Sequence, residues 1–466
     1  MLVIAVLLVF IRKLSKAQHF VMVYITACVL TACHSMPSRD PNTLDVKLLA
    51  QWNKYEPFAV HWLEMFNDAQ LTAMVKEGLV SNFELKSANA RVDVAQELSI
   101  IAGANRLPQI FFSPTYQRNK NIDGGNTAEF GAFTALFGLN WELDVWGRIR
   151  ATQQSAAKEA MATDDDYRAA QLSMAARIAQ VYFEWIEAQL QAEVATQSVQ
   201  DRSVIVNLVS GRFNKGLTKG LDLRLVLTDL ANAQAQLSQT NNDVQILARR
   251  LQILLARYPD GKLNLKKNLP PLPQVLATGL PSELLTRRPD VTAAFKRLCA
   301  ADARLESAEK ALLPRITLTA IGGTGSPALT ELVDPRAIAW NVVAGLMQPL
   351  FTGERLESEI RLNEAKVKDV YNQYQTIALN AFREVEQALN TESQLREQEK
   401  ALKEAVNQTE SSRKLAVYSY QQGLIEILTL LDSYRSTFNA QSSHLRIQRQ
   451  LLNNRINLYL ALGGAV

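Results

Sequence analysis

The sequence contains very few of the residues that form disulfides and metal sites. It has three cysteines among 466 residues, and two of them, Cys28 and Cys33, lie in an apolar N-terminal region, which leaves Cys299 alone in the body. A single cysteine excludes an internal disulfide or a cysteine-rich metal site there. The four histidines show no HxxxH or HExxH spacing, so a histidine-based metal site is not expected either.

The sequence also lacks a strong charge imbalance and, after Cys33, a long apolar run. The formal net charge is +4 over the whole chain, which does not suggest a nucleic-acid partner. A membrane-spanning helix needs about 20 consecutive apolar residues, and no run approaches that length after Cys33. The body is therefore predicted to contain no transmembrane helix.

Motifs for bond chemistry are missing as well. The segment GGTGSP (322–327) suggests a phosphate loop but lacks a following Lys-Ser/Thr and the GxGxxG spacing, so a hairpin turn is predicted there. The segment TDDDYR (163–168) suggests a cation site, but three consecutive acids on a helix point in different directions. We therefore expect neither an enzyme nor a bound metal or cofactor.

The N-terminal region has the layout of a secretory signal. Basic residues at 12, 13 and 16 precede a short apolar run, 20–31, which ends in small residues before Cys33. Three roles for Cys33 follow: it closes a transmembrane helix, it is an incidental thiol, or it begins the mature protein. A separate apolar run at residues 1–11 does not fit the signal pattern.

The body of the chain uses one pattern twice. Short matches recur 206 to 207 positions apart: RLPQI (106–110) with LLPRI (312–316), NKGL (214–217) with QQGL (421–424), and ANAQ (231–234) with FNAQ (438–441). A nearly constant offset over such a distance indicates an internal duplication of about two hundred residues.

Long segments without glycine or proline predict long helices. They fall in matching places of the two halves: 79–102 with 290–313, 148–210 with 354–422, and 221–258 with 424–462. A helix of sixty residues reaches about 90 Å, far beyond an ordinary globular helix. In residues 172–190 the apolar positions step alternately by three and four, which predicts a seam of helix packed on helix; an ordinary bundle core is the alternative.

Strand-like segments lie between these helices. From Phe133 to Leu143 every second residue is apolar or aromatic, while the residues between are mostly small or polar. Residues 110–116, 316–321 and 337–350 are the other predicted strands. Such alternation is typical of a strand with lipid on one side and water on the other; the alternative is the edge of a soluble sandwich. Because eight strands are about the minimum for a membrane barrel, lipid-facing strands would require several chains to share one barrel.

Two segments carry a resemblance to a known family. HWLEMFNDAQLTAMVKEGL (61–79) resembles a segment near the mature N-terminus of TolC-like outer-membrane efflux factors. GLPSELLTRRPDVTAAFKRL (279–298), continued by LLPRITLTA (312–320), closely resembles the signature at the second repeat of the lipoprotein branch that serves resistance-nodulation-division pumps. The resemblance covers essentially the whole chain after Cys33.

The resemblance implies a mainly α-helical protein with a membrane β-barrel. Three chains would form a homotrimer that shares one 12-stranded barrel, and a coiled α-helical tunnel would cross the periplasm. The implied partners are a periplasmic adaptor, an inner-membrane pump and outer-membrane lipid. Residues 30–33, Leu-Thr-Ala-Cys, resemble a lipobox, which implies a covalent lipid on Cys33, and His34 in the next position favours sorting to the outer membrane.

The resemblance also implies a closable end of the tunnel. Gly216 and Gly423 would form the turns of the two helix pairs, and Asp222 with Tyr420 matches the pair that forms a closing hydrogen bond. Asp432 matches one of two acids that ring the opening, which would favour cations, whereas Thr429 stands in place of the other and Ile425 in place of a basic residue seen in some members. The tip lysines Lys215 and Lys219 are candidates for adaptor contact, with solvated charge as the alternative.

These observations predict a domain division and a function. Residues 1–32 are assigned to a signal peptide, 33–78 to an N-terminal periplasmic segment, 79–278 to the first repeat and 279–466 to the second. The predicted function is a passive outer-membrane duct for small molecules in a tripartite efflux system. A TolC-like channel for type I protein secretion and a structural coiled-coil scaffold are the alternatives.

Overall fold

The computed structural model describes residues 39–45, 62–123, 126–264, 268–273 and 281–464. The predicted signal peptide and Cys33 lie outside these ranges. The helices are Ala69–Ser81 (α1), Phe83–Ala104 (α2), Arg148–Asn214 (α3), Gly220–Leu254 (α4), Pro281–Arg287 (α5), Pro289–Lys310 (α6), Arg355–Gln421 (α7) and Ile427–Ala461 (α8). The strands are Gln109–Asp123 (β1), Asn126–Leu143 (β2), Arg315–Ser326 (β3) and Ala339–Met347 (β4). Short 3-10 helices occupy Leu63–Phe66, Leu329–Val333 and Pro335–Ala337.

The same order of elements occurs twice along the chain. A helix of 22 residues is followed by two strands, a helix of 67 residues and a helix of 35 residues, first as α2 to α4 and then as α6 to α8. The long helices predicted from the breaker-free segments are confirmed. No helix within the described ranges is apolar over a stretch long enough to cross a membrane.

The described residues form two compact units. One consists of 93–162 and 295–373 together with residues 39–43, and it contains the sheet. The other consists of 62–92, 163–294 and 374–464 together with residues 44–45, and it contains the ends of the long helices where each helix pair turns. The apolar and charged contacts that position the candidate site all lie within this second unit.

The sheet of the first unit is antiparallel, in the order β1-β2-β3-β4. Its register places aromatic residues opposite one another on one face. Phe112 pairs with Phe137 and Tyr116 with Phe133, and the ring centroids in these pairs lie 4.7 Å and 4.5 Å apart. Such cross-strand aromatic pairs stabilise an antiparallel ladder, and the alternation predicted for Phe133 to Leu143 is confirmed.

The turn predicted at GGTGSP is wrong, because residues 322–326 continue β3 and pair with β2. The glycines serve close packing of strands: a Cβ on Gly323 would lie 2.0 Å from the carbonyl oxygen of Ala135. A glycine inside a strand often marks such a close approach of backbone. Residues 119–127 are mostly strand as well, since β1 continues to Asp123 and β2 begins at Asn126.

The apolar spacing in α3 underestimates how much of this helix is buried. Ala176, Ala179, Phe183 and Ile186 of the predicted seam are buried, and so are residues between them. The additional buried residues are Met174, Ala175, Ile178, Val181, Tyr182 and Trp185. A helix that is apolar on most sides packs against several neighbours, whereas a coiled-coil seam needs a single narrow stripe.

The TDDDYR segment behaves as predicted for consecutive acids on a helix. Asp164 pairs with Arg168 at 2.9 Å, while the buried Asp165 accepts a hydrogen bond of 2.8 Å from the Thr292 hydroxyl of α6. Asp165 therefore joins α3 to α6, whereas the Asp164 pair lies within α3; Arg168 also approaches Asp165, at 3.9 Å.

The N-terminal motif forms part of the apolar core. The Trp62 ring stacks on Tyr459 with centroids 5.8 Å apart, and Phe66 packs against Phe183 at 5.4 Å. Asp68 caps α1 by accepting hydrogen bonds from the backbone of Gln70 and Leu71, and its second carboxylate oxygen accepts one of 2.8 Å from Tyr182. The motif therefore couples a helix cap to aromatic packing, which orients the start of α1.

The signature of the second repeat is organised by Arg288. Its guanidinium donates to both carboxylate oxygens of Asp290, at 3.0 Å and 2.7 Å, and to Glu384 of α7 at 2.7 Å. A fourth hydrogen bond, 3.2 Å long, reaches the carbonyl oxygen of Ala461 at the end of α8. Because the Arg288 side chain is only 9% exposed, these partners compensate for the loss of its hydration.

Candidate functional site

The two turns that join the helix pairs, residues 214–220 and 421–427, are built alike. We call them the paired turns. Gly216 has φ +70° and Gly423 has φ +74°, a conformation that costs side-chain-bearing residues energy. The backbone N–H of Leu217 donates to Arg212 at 2.9 Å, and that of Leu424 donates to Ser419 at 2.9 Å. This is the hydrogen-bond pattern of a glycine-terminated helix, so both glycines lie where the resemblance placed the turns.

Asp222 lies in the first turn of α4, the helix that follows the first of the paired turns. Its carboxylate accepts a 2.5 Å hydrogen bond from the Thr218 hydroxyl and a 3.3 Å bond from the backbone N–H of Lys219. A carboxylate in the first turn of a helix satisfies free N–H groups and interacts favourably with the helix dipole. Asp222 therefore stabilises the start of α4 in addition to the role that the resemblance implies.

Tyr420 is buried within an apolar cluster at the paired turns. Its side chain is 6% exposed and packs with Val209, Val226, Ile427 and Leu430. Burial raises the pKa of its hydroxyl, which keeps the group protonated. The Thr218 side chain, which donates to Asp222, lies beside this hydroxyl, so Thr218 stands between Tyr420 and Asp222, the two residues that the resemblance pairs directly.

Arg212 is a residue that sequence reasoning missed. It belongs to α3, but its Nη1 donates to the backbone carbonyl oxygen of Tyr420 in α7 at 3.2 Å. The guanidinium also lies over the Tyr420 ring, 5.3 Å from its centroid, a geometry that attracts a cation. The signal that could have pointed to Arg212 is Ile425, which stands in place of a basic residue seen in some family members. Ile425 lies against the apolar cluster and supplies no charge, so a cation at this place has to come from another residue.

The acid expected near the opening has a local partner. Asp432 is exposed, and its carboxylate is paired with Arg435 one turn further along α8. The side chains of Asp432 and Arg435 are 59% and 70% exposed. Thr429 is exposed one turn before Asp432. The Arg435 charge offsets that of Asp432, so the local field at this position is weaker than an unpaired carboxylate would produce.

The two tip lysines lie at the surface of the first turn. Lys215 and Lys219 are both exposed, and Lys219 directly precedes α4. Their side chains are thus accessible to a partner. Solvation alone accounts equally well for exposed lysines on a turn.

Comparisons with known proteins agree on one family. The sequence profile described as outer membrane efflux protein matches residues 74–257 and again 280–464. The chain is 30% identical over 416 residues to the pyoverdine export outer membrane protein OpmQ of Pseudomonas putida KT2440, covering 86% of this chain and 87% of that protein. It is 29% identical over 413 residues to the cation efflux system protein CusC of Escherichia coli K12, covering 86% and 88% of the two chains.

A solved structure shows the same fold. A membrane protein from Pseudomonas aeruginosa superimposes with a TM-score of 0.86 at 27% sequence identity, covering 92% of this chain and 100% of that one. The profile match spans both repeats, and the fold likeness spans nearly the whole chain. This chain belongs to the outer membrane efflux protein family.

Proposed function

We propose that this protein is the outer-membrane channel component of a tripartite efflux system, which passively conducts small molecules from a pump and adaptor to the outside. The observation that carries the proposal is the family profile, which matches both halves of the chain, at residues 74–257 and 280–464. The relatives named above export pyoverdine and cations respectively. Export is thus common to them, whereas the exported compound differs.

The proposed assembly is a homotrimer whose three chains share one 12-stranded barrel. Its support is the four-stranded sheet, in which β1 and β4 are the outer strands. Outer strands have hydrogen-bonding groups directed away from the sheet, and lipid does not tolerate such open edges. Exposed apolar side chains on one face, including Phe112, Phe137 and Trp340, suit contact with outer-membrane lipid.

The paired turns are proposed as the periplasmic gate. The gate comprises Gly216 and Gly423 at the turns, Tyr420 and Asp222 joined through Thr218, and Thr429 with Asp432 on α8. Its support is one apolar cluster to which the helices on both sides of the two turns contribute, which makes movement of one helix pair dependent on the other. Lys215 and Lys219 are proposed to contact the periplasmic adaptor, as exposed cations at the end of the first turn.

A lipid on Cys33 is proposed as a second attachment to the outer membrane. The Leu-Thr-Ala-Cys sequence that supports it lies at residues 30–33. The division into a signal peptide at 1–32, an N-terminal segment at 33–78 and repeats at 79–278 and 279–466 is part of the same proposal. No cofactor is proposed apart from this covalent lipid.

Deletion of the gene in its own host tests the function. We expect increased susceptibility to some members of a panel of dyes, detergents and antibiotics, because their exit across the outer membrane would be blocked. The deletion strain carrying the gene on a plasmid is the control. Unchanged susceptibility throughout, together with loss of a secreted protein, would favour the type I secretion channel instead.

Membrane fractionation provides an independent test. We expect the protein in outer-membrane extracts as a trimer. Heating should dissociate the trimer to monomers, which changes its position in gel electrophoresis. Recovery in a soluble fraction alone would contradict the channel and favour a coiled-coil scaffold.

A further inference from the structure

Charged side chains continue the aromatic face of the sheet at one end. Tyr116 and Phe133 mark this face, because their rings pair across β1 and β2 with centroids 4.5 Å apart. Side chains at every second position of a strand lie on the same face. Arg118 and Lys120 therefore follow Tyr116 on this face, and Glu129, which stands opposite Lys120 in the register, lies there too. We call Arg118, Lys120 and Glu129 the charged rim.

The charged rim carries more positive than negative charge. Arg118 donates from Nη2 to Glu129 at 2.9 Å, and the Lys120 ammonium lies 3.6 Å from the other oxygen of the same carboxylate. Among the described side chains, no other acid lies within 4 Å of either cation. Because two cations share one acid, one positive charge is in excess. The Arg118 and Lys120 side chains are 68% and 58% exposed, so a ligand can reach them.

Tyr116 lies at the boundary between the aromatic face and the charged rim. A Cβ on Gly131 would lie 3.1 Å from the Tyr116 hydroxyl, and Gly131 is the register partner of Arg118. The hydroxyl is therefore directed toward the charged rim, while the ring packs on Phe133. Tyrosines with one apolar end and one wet end are typical of the boundary between lipid hydrocarbon and headgroups.

The spacing along β1 agrees with such a boundary. The apolar side chains of this face begin at Ile110, and the charged rim ends at Lys120. These positions are about 34 Å apart along a strand at roughly 3.4 Å per residue. A strand tilt of about 40° reduces this to about 26 Å along a barrel axis, and the apolar band of a membrane barrel is about 25 Å tall. In the proposed barrel, the charged rim therefore lies at the level of the headgroups.

The topology of the sheet indicates which membrane surface the charged rim faces. β1 follows α2 and β2 precedes α3, so the helices adjoin the sheet at the end formed by Gln109 and Leu143. The charged rim lies near the opposite end, where β1 and β2 meet at Asp123 and Asn126. Because the helices of the proposed channel extend into the periplasm, this opposite end faces the outside. The headgroups there belong to the outer leaflet, which in an outer membrane consists of phosphorylated glycolipid.

We propose that the charged rim binds the phosphate groups of this outer-leaflet glycolipid through Arg118 and Lys120. Arg118 uses a single nitrogen, Nη2, for Glu129, which leaves other N–H groups of its planar fork for a phosphate, and the Lys120 ammonium adds a compact point charge. The acyl chains of the same lipid then lie along Tyr116 and Phe133. The proposal rests on the proposed channel function and assigns one lipid class to a defined part of its surface.

Titration of the full-length trimer with lipid A, the phosphorylated part of the glycolipid, tests the proposal. The trimer is purified in a neutral detergent, and radiolabelled lipid A with two phosphates is the probe. We expect Arg118→Gln combined with Lys120→Gln to weaken binding about tenfold, because charge-assisted contacts to phosphate are lost. Wild-type affinity in this double variant would overturn the proposal.

The variant Glu129→Gln separates lipid binding from a merely structural ion pair. Its removal of the acid leaves both cations without a competing partner, so binding of lipid A should strengthen several-fold. A structural role predicts the opposite, since loss of the acid and loss of the cations break the same ion pairs. Unchanged or weaker binding in Glu129→Gln would contradict the proposal, and this variant decides the question alone if the double variant forms no heat-modifiable trimer.

Arg336→Gln is the matched control for position. Arg336 is 91% exposed and pairs with Asp334 at 3.0 Å in the segment between β3 and β4, outside the charged rim. Its loss should leave binding of lipid A unchanged. A loss of affinity equal to that of the double variant would show that positive charge in general attracts the lipid, which would overturn the assignment to the rim.

Two further probes are the controls for the ligand. Dephosphorylated lipid A lacks the groups that the charged rim is proposed to hold, and phosphatidylglycerol is an anionic lipid without the phosphorylated sugar. Both should bind the wild-type trimer more weakly than lipid A, and neither should distinguish the wild type from the double variant. Equal binding of either probe and lipid A would overturn the proposed ligand.

The outcomes keep this proposal separate from the proposed function. Absence of the wild-type protein from outer-membrane extracts would overturn the channel itself. A wild-type trimer that is present in those extracts, but whose affinity for lipid A is independent of Arg118 and Lys120, would overturn the role of the charged rim alone.

Discussion

At the scale of single residues, the proposed gate contains a short series of polar side chains in an apolar surrounding. The Tyr420 hydroxyl lies beside Thr218, and Thr218 donates to Asp222 at 2.5 Å. Because Tyr420 is buried with the cluster at the paired turns, its hydroxyl has few alternative partners. Removing either end of this chain of contacts should loosen the attachment of α7 to the start of α4.

We expect the combined replacement Asp222→Ala with Tyr420→Phe to raise single-channel conductance in planar bilayers. Each change removes one end of the contact through Thr218 while keeping most of the apolar packing. Tyr418→Phe is the control, since Tyr418 lies two positions earlier in α7 and is 61% exposed. Equal conductance of the double variant and the wild type would remove these residues from the gate.

A second prediction at this scale concerns the buried cation Arg455. Its side chain is fully buried and is paired with Glu392, whose carboxylate accepts its Nε at 3.0 Å. Glu392→Gln removes the charged carboxylate paired with this buried cation and should lower the free energy of unfolding by about 3 kcal/mol.

The matched control for that prediction is Arg396→Gln. Arg396 also pairs with Glu392 at 3.0 Å, but it is 45% exposed, so its loss should cost about 0.5 kcal/mol. Thermal unfolding in detergent, followed by circular dichroism, measures the difference. Similar melting temperatures for the two variants would show that burial of Arg455 contributes little to stability.

At the scale of elements, glycines and alternation define where helices end and strands run. Gly216 and Gly423 end their helices with positive φ, and a Cβ on either would meet nothing within 4 Å. Backbone conformation, and not space, therefore requires glycine at both turns. Gly323 presents the opposite case, because its replacement would collide with the backbone of Ala135 in the neighbouring strand.

Gly423→Ala should destabilise the second turn by about 1 kcal/mol, since a left-handed conformation is unfavourable for alanine. Gly211→Ala is the control: Gly211 lies inside α3 with open space around it, and alanine there should stabilise the helix by roughly 0.5 kcal/mol. Amide hydrogen exchange at the turns and in α3 measures both effects. Slower exchange in both variants would contradict the conformational argument.

The elements were predictable from the sequence to different degrees. The 67-residue helices follow from segments free of glycine and proline, and helix propensity is a local property. The extent of β3 was not predictable, because GGTGSP has the composition of a turn and pairs as a strand only opposite β2. In the proposed gate, the two turn glycines were evident, whereas Arg212 becomes relevant only through Tyr420, which is far away in sequence.

At the scale of the whole molecule, one chain supplies two copies of the same series of elements and a single four-stranded sheet. In the proposed trimer, three such sheets close one barrel, which provides the principal contact with the membrane. The proposed lipid on Cys33 would then be an additional anchor. Loss of that anchor should not by itself remove the protein from the outer membrane.

We therefore expect Cys33→Ser to abolish labelling by radioactive palmitate while the trimer remains in outer-membrane extracts. Cys299→Ser is the control, because Cys299 lies in α6 and is half-buried, and its loss should leave labelling unchanged. Equal labelling of wild type and Cys33→Ser would rule out the proposed anchor.

The sequence by itself determined the internal duplication, the long helices, the strand alternation and the two turn glycines. These features depend on periodicity and on the conformational limits of single residues, which do not require knowledge of distant neighbours. Only the tertiary structure decided that Arg288 joins the start of α6, the middle of α7 and the end of α8, that Thr218 stands between Tyr420 and Asp222, and that Arg212 reaches from one helix pair to the other. Such contacts are set by packing, because a charged side chain acquires its partner from whichever helix is brought beside it.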